Sequence, residues 1–108
     1  MPTRHTTQHP IAKRLKEARL ESSLSQAKVG ELAGIDPSVA SARMNQYERQ
    51  VHQPAYDVVR QLAEVLKKPV PFFSAADDSL AEVLAIYGRI NSSDRAKLIA
   101  YARKLSPK

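Results

Sequence analysis

Residues 24–47 read Leu24-Ser25-Gln26-Ala27-Lys28-Val29-Gly30-Glu31-Leu32-Ala33-Gly34-Ile35-Asp36-Pro37-Ser38-Val39-Ala40-Ser41-Ala42-Arg43-Met44-Asn45-Gln46-Tyr47. Ser25 is a residue of N-cap type, whose hydroxyl accepts from an otherwise unpaired N–H of a first helical turn. Ala27, Val29, Leu32 and Ala33 then supply the inward side of a short helix. Gly34 follows, where a helix C-terminus takes up a left-handed residue. Asp36 is the expected cap of a further helix, with Pro37 at its first position, where the missing N–H costs nothing. Val39, Ala40, Met44 and Tyr47 recur at helical spacings and are the expected buried side. Ser38, Ser41, Ala42, Asn45, Gln46 and Arg49 lie mainly opposite. Two helices joined by so tight a turn make a helix-turn-helix.

The flanking sequence is helical on both sides. Ile11, Leu15, Ala18 and Leu20 form a partial apolar stripe among charged residues, which predicts a first helix over residues 11–22. Residues 50–55 contain Pro54 and read as a loop. Residues 56–66 form a fourth helix, burying Val58 or Val59, Leu62, Ala63 and Leu66. Pro69 and Pro71 break the chain, and Pro71-Phe72-Phe73 begins a short fifth helix or turn whose aromatics plug the core. Asp77-Asp78-Ser79 starts another helix through Leu80, Val83, Leu84, Ile86, Tyr87 and Ile90, its acids suited to a positive helix start. Asn91-Ser92-Ser93-Asp94 caps a last helix to about Leu105, with Leu98, Ile99, Ala102 and Leu105 apolar. The fold class is all-α, with no strand pattern.

Composition narrows the function. A length of 108 residues suits one domain with a helical appendage, and 43% hydrophobic residues suit a globular chain. The absence of cysteine excludes disulfides and thiolate metal sites. No apolar run approaches the ~20 residues of a membrane span, and the N-terminus lacks the apolar core of a secretory signal. A cytoplasmic protein without a membrane partner is expected. The net charge of +6 favours polyanionic partners. Residues 1–10 read as a flexible arm in which Arg4 could touch DNA; a helical metal site at His5 and His9 is disfavoured by Pro10. His5, His9 and His52 do not cluster with carboxylates in a catalytic pattern, and no Gly-rich phosphate loop is present. The chain reads as no enzyme and asks for no cofactor.

The order and spacing of several short pieces resemble the DNA-binding domain of lambda-repressor-like, XRE-type helix-turn-helix regulators. These are Arg14-Leu15-Lys16-Glu17-Ala18-Arg19, Leu24-Ser25-Gln26-Ala27, Leu32-Ala33-Gly34-Ile35, Asn45-Gln46-Tyr47-Glu48-Arg49, Pro54, Leu62-Ala63 and Val70-Pro71-Phe72-Phe73. The resemblance covers residues 11–73. It implies a five-helix domain over residues 11–76, followed over residues 77–108 by a two-helix extension suited to dimerisation. It implies a transcriptional regulator, with a repressor on an inverted-repeat operator as the favoured reading. An antitoxin-type module that binds a toxin and its own operator is the alternative.

The resemblance also implies residue roles. Gln26 matches a position that contacts phosphate and often a base. Arg19 and Glu48 match a pair that ties the first helix to the end of the recognition helix. About four residues more than the usual pattern separate Ile35 from Tyr47, so the recognition helix is either long or preceded by a helical turn. Counting back from Glu48 places Ser41, Ala42 and Gln46 at base-reading positions, flanked by Arg43 and Asn45. Counting forward from Gly34 picks Pro37 and Ser38 instead. The first count is preferred, because Met44 and Tyr47 set the helix phase against the core. Lys13, Arg14, Ser25, Lys28 and Arg49 are the phosphate candidates, of the kind that position without specifying. Leu80, Leu84, Tyr87, Leu98, Tyr101 and Leu105 are the dimer candidates. Gly30 stands where the family usually has alanine, and Gln50 and Lys68 stand where it usually ends helices with glycine. The chain is too short for a separate sensor domain, and no small-molecule effector is expected.

Overall fold

The computed structural model describes residues 9–107. Most of the expected arm, including Arg4 and His5, lies outside them. Six α-helices and one 3-10 helix, with no strand among the described residues, follow in the order α1 Ile11–Ser22, α2 Gln26–Leu32, α3 Ala40–Glu48, α4 Tyr56–Leu66, the 3-10 helix Val70–Ser74, α5 Asp78–Arg89 and α6 Ser92–Leu105.

Local chemistry sets most boundaries. The Ser25 side chain accepts from the Lys28 N–H, Asp77 from Ser79 N–H and Asn91 from Asp94 N–H, so each starts its helix as a cap. Gly34, at φ 94°, ends α2 in a Schellman turn: its N–H reaches the Glu31 carbonyl at 3.0 Å and Ile35 N–H reaches Gly30 at 2.9 Å. Gln50, at φ 64°, closes α3 in the same way, with Val51 N–H on Gln46 O at 2.9 Å. At the end of α4 the left-handed residue is Lys67, at φ 58°, one position before Lys68.

The core gathers Leu15, Val29, Met44, Leu62 and Phe73, each at most 1% exposed. Phe72 and Phe73 meet edge to face, their centroids 5.3 Å apart, so the 3-10 helix closes the bottom of the bundle formed by α1 to α4. On α4 it is Val59 that is buried, while Val58 is half-buried at its edge. A small-residue stripe then lets α5 pack closely. Ala81 and Ala85 are buried, and a Cβ on Gly88 would come within 2.8 Å of Pro69 Cδ. By contrast α6 has no buried residue. It is fastened to α5 by Arg95, whose Nε donates to Tyr87 O at 2.8 Å and whose guanidinium lies 4.4 Å from the Tyr87 ring centroid.

Three apolar residues depart from expectation. Leu20, Leu32 and Val39 are 59%, 52% and 40% exposed. Each sits near a helix end, where periodicity over a few residues does not determine which side meets the core.

Candidate nucleic-acid interface

The extra residues before Tyr47 form a separate turn rather than a longer helix. Asp36 caps that turn: its carboxylate accepts from Ser38 N–H and Ser38 Oγ, both at 2.8 Å. These two bonds hold its carboxyl below the ordinary value. Val39 N–H closes the turn onto Asp36 O at 3.0 Å, and α3 proper begins at Ala40. The expected cap at Asp36 and helix start at Pro37 are therefore corrected by three residues, to Val39 and Ala40. Asp36 and Pro37 instead build the connector that delivers α3.

The packing of α3 sets its outward face. Ala40, Met44 and Tyr47 are buried, and Ala40 touches α2 where only glycine fits. A Cβ built on Gly30 would lie 2.9 Å from Ala40 Cβ and 3.1 Å from Ala40 O. The alanine usual in the resembling family has no room against Ala40 at this spacing. With that side fixed, Ser41, Ala42, Arg43, Asn45 and Arg49 are exposed and Gln46 is half-buried. All the base-reading candidates on α3 thus share one solvent-facing surface. Val39, expected inside, joins that surface at its N-terminal edge.

Polar contacts lock this surface to the rest of the domain. Arg19 Nε donates to Glu48 Oε2 at 2.6 Å and its Nη2 to Oε1 at 3.1 Å. Both side chains are largely withdrawn from solvent, at 14% and 4% exposed. The hydrogen bond to Glu48 raises the pKa of Arg19 above its ordinary value. Gln26 Nε2 also donates to Glu48 Oε1 at 3.1 Å and to Asn45 Oδ1 at 3.4 Å. One carboxylate at the end of α3 therefore gathers α1 and the start of α2. The amide nitrogen of Gln26 is thereby engaged by α3.

The cationic candidates separate. Lys28 and Arg49 are exposed, and Ser25 keeps an exposed hydroxyl at the start of α2. Lys13 is drawn toward α5 by Asp78, 3.0 Å away. Arg14 is no phosphate contact. It is 2% exposed and spends its donors on Ala75 O at 2.7 Å, Ala76 O at 3.2 Å, Glu17 at 3.0 Å and Asp78 at 2.9 Å. Burial works against its charge, but the bonds to Glu17 and Asp78 outweigh that and raise its pKa. A basic residue on an amphipathic helix reads as solvated; only the tertiary fold brings the carbonyls of Ala75 and Ala76 to it.

Sequence reading missed a neighbour of the recognition face. An open groove of about 480 Å³ runs between Arg43, Gln46 and Tyr47 on α3 and His52 and Gln53 in the following loop. The left-handed Gln50, at the position where the family usually has glycine, turns this loop back alongside α3, but the sequence did not show that His52 and Gln53 would line a groove with it.

Among the described residues no group of His, Asp and Glu could hold a metal ion, and no helix is long and apolar enough to cross a membrane. A comparison with curated proteins finds no match. The family model described as helix-turn-helix matches residues 15–73. The fold is similar to the crystal structure of the transcriptional regulator BswR, at 36% identity and a TM-score of 0.80, over 86% of this chain and 92% of that one. The chain belongs to the XRE-type, lambda-repressor-like helix-turn-helix family and is a DNA-binding transcriptional regulator.

Proposed function

We propose that this regulator is a cytoplasmic repressor that binds an inverted-repeat operator as a homodimer, each protomer laying α3 in the major groove. The carrying observation is the exposed polar face of α3, held at a set angle by the Gly30–Ala40 contact and the Arg19–Glu48–Gln26 cluster. On that face Asn45 and Gln46 have the chemistry to pair with adenine N6/N7, and Arg43 with guanine O6/N7. Ala42 and Val39 have the chemistry to contact a thymine methyl. Lys28, Arg49 and Ser25 are the phosphate contacts in this reading.

Dimerisation rests on the C-terminal helices. Leu80, Tyr101 and Leu105 are 49%, 62% and 68% exposed, with Leu84, Tyr87 and Leu98 half-buried. Val83 and Ile86 add to the exposed apolar surface of α5. Half-sites about one DNA turn (~34 Å) apart require two recognition helices in one assembly.

Selection of bound duplexes from a random pool tests the operator claim, and recovery of a two-fold symmetric site is expected. Gln46→Ala should cost ~1–3 kcal/mol of discrimination at one base pair. Lys28→Ala should weaken all duplexes alike and lower the salt slope by about one. Identical behaviour of the two variants on specific and scrambled duplexes would refute the assignment of the face. Sedimentation of a chain ending at Ala76 tests the dimer: the full chain should contain two protomers per assembly and the shortened chain one.

A further inference from the structure

A cleft of about 420 Å³ opens on the side of the domain formed by α1, α4 and the end of α5. Its walls are apolar, formed by Ala18, Leu24, Val65 and Leu66. The end of α4 brings Lys67 and Lys68 to it, and the end of α5 brings Arg89. Against these three cations stands one carboxylate, Glu21. A volume in this range, apolar walls and a few convergent charges are the common makeup of small-molecule sites.

Lys68 is the informative residue. Its side chain is only 8% exposed, and its ammonium sits 2.9 Å from Glu21 Oε1 and 5.7 Å from the centroid of the Phe72 ring. An ammonium carries three donors. Among the described residues Glu21 is its one hydrogen-bond acceptor. Glu21 is itself 61% exposed, a surface side chain rather than a buried counter-ion. A largely buried cationic side chain, paired with a single exposed carboxylate at the edge of an apolar cleft, is arranged to exchange that carboxylate for one from a ligand. The neighbouring cleft of about 230 Å³ shares Glu21, Lys68 and Arg89 and adds Arg14, but Glu17, Asp78 and Glu82 also line it, so its carboxylates outnumber its cations and disfavour an anion there. The apolar cleft is therefore the site.

We infer that this cleft binds a small amphipathic anion, a carboxylate with an apolar tail. The carboxylate pairs with Lys68 and Arg89, and the tail lies along Leu24, Val65 and Leu66. Glu21 occupies the carboxylate position when the site is empty. No separate sensor domain is required, because the cleft is made where α5 meets the DNA-binding helices.

Titration of the full chain with decanoate below its micelle concentration tests this, followed by NMR of the Leu24 and Val65 methyl groups. Saturable shifts at these methyls are expected with decanoate, and none with acetate, which lacks the tail, or decanol, which lacks the charge. Lys68→Met should weaken decanoate by about tenfold or more, the loss of a charged hydrogen bond. Glu21→Gln, which removes the competing carboxylate on an exposed site, should tighten it by about 2- to 5-fold. Loss of folding cannot mimic that gain, so the Glu21 variant decides even if the Lys68 variant is unstable. Absence of saturable shifts would overturn the inference. So would shifts confined to α6, equal binding of decanol or acetate, or weaker or unchanged binding in Glu21→Gln.

Discussion

Replacing Gly30 by alanine tests whether the helix pair is as tight as the structure shows. Intrinsic helix propensity alone favours the change by ~1 kcal/mol. The tertiary contact opposes it. The new Cβ would lie 2.9 Å from Ala40 Cβ, 3.1 Å from Ala40 O and 3.1 Å from Met44 Cγ. Ordinary contact begins at 3.4 Å, so α2 and α3 must part by roughly 0.5 Å or more. Two of the three obstructing atoms belong to Ala40 backbone or Cβ, which no rotamer change can move. Overpacking of this kind costs ~1–3 kcal/mol. The net expectation is a loss of about 1 kcal/mol, or a fall in melting temperature of roughly 4–8 °C. Specific DNA affinity should fall further than non-specific affinity, because α3 is displaced relative to α2. Urea denaturation of Gly30→Ala, Ala40→Gly and the double variant gives the coupling directly. A favourable coupling of about 1 kcal/mol is expected, since Ala40→Gly removes the nearest atom. If Gly30→Ala alone is stabilised by the full propensity gain and the coupling is zero, the close approach does not set the helix angle.

Other perturbations follow from the same geometry. Arg14→Met should destabilise by about 2–4 kcal/mol, through lost charged hydrogen bonds and a stranded buried carbonyl at Ala75. The folded variant should bind DNA with an unchanged salt slope, whereas a phosphate contact would lower the slope by about one; the slope is read from affinity against salt concentration. Gln50→Gly should stabilise by about 0.5–1 kcal/mol in urea denaturation, as the relief of a left-handed L-residue exceeds the entropy of a new glycine. Hydrogen bonds from Lys13 and Arg14 hold the Asp78 carboxyl below its ordinary value of 3.8. A depressed folded-state pKa contributes stability above the unfolded value, which is lost as pH falls through the lower folded value. Urea midpoints measured against pH should therefore drop in this acid range, and Asp78→Asn should flatten the drop; an unchanged slope would count against the ion pairs.

Much of the fold was legible because it rests on local chemistry. The caps at Ser25, Asp77 and Asn91 and the left-handed Gly34 each combine a residue type with a helix terminus, and the periodicity of α1 and α4 gives their extents. The Asp36-Pro37 start looked equally local. Asp36 does cap a backbone N–H, but of a turn, since an Asx turn and a helix N-cap share the same first hydrogen bond. The base-reading candidates were found through the phase of Met44 and Tyr47, which survives the shift of the helix start because both remain buried.

The sequence by itself determined the helices, their order and the polar side of α3, because propensity, capping and periodicity act over a few residues. Tertiary structure alone decided which charges are surface and which are structural. Arg14 and Arg19 stand on the same helix with the same charge as Lys13 and Lys16. Arg14 is buried only because the chain returns about sixty residues later to place Ala75, Ala76 and Asp78 around it. Lys68 is buried because Glu21 and Phe72 arrive from other elements. The distance between α2 and α3 is likewise a property of the pair Gly30 and Ala40, neither of which specifies it alone. Burial and pairing depend on what the rest of the chain brings to a residue, and no window of local sequence contains that.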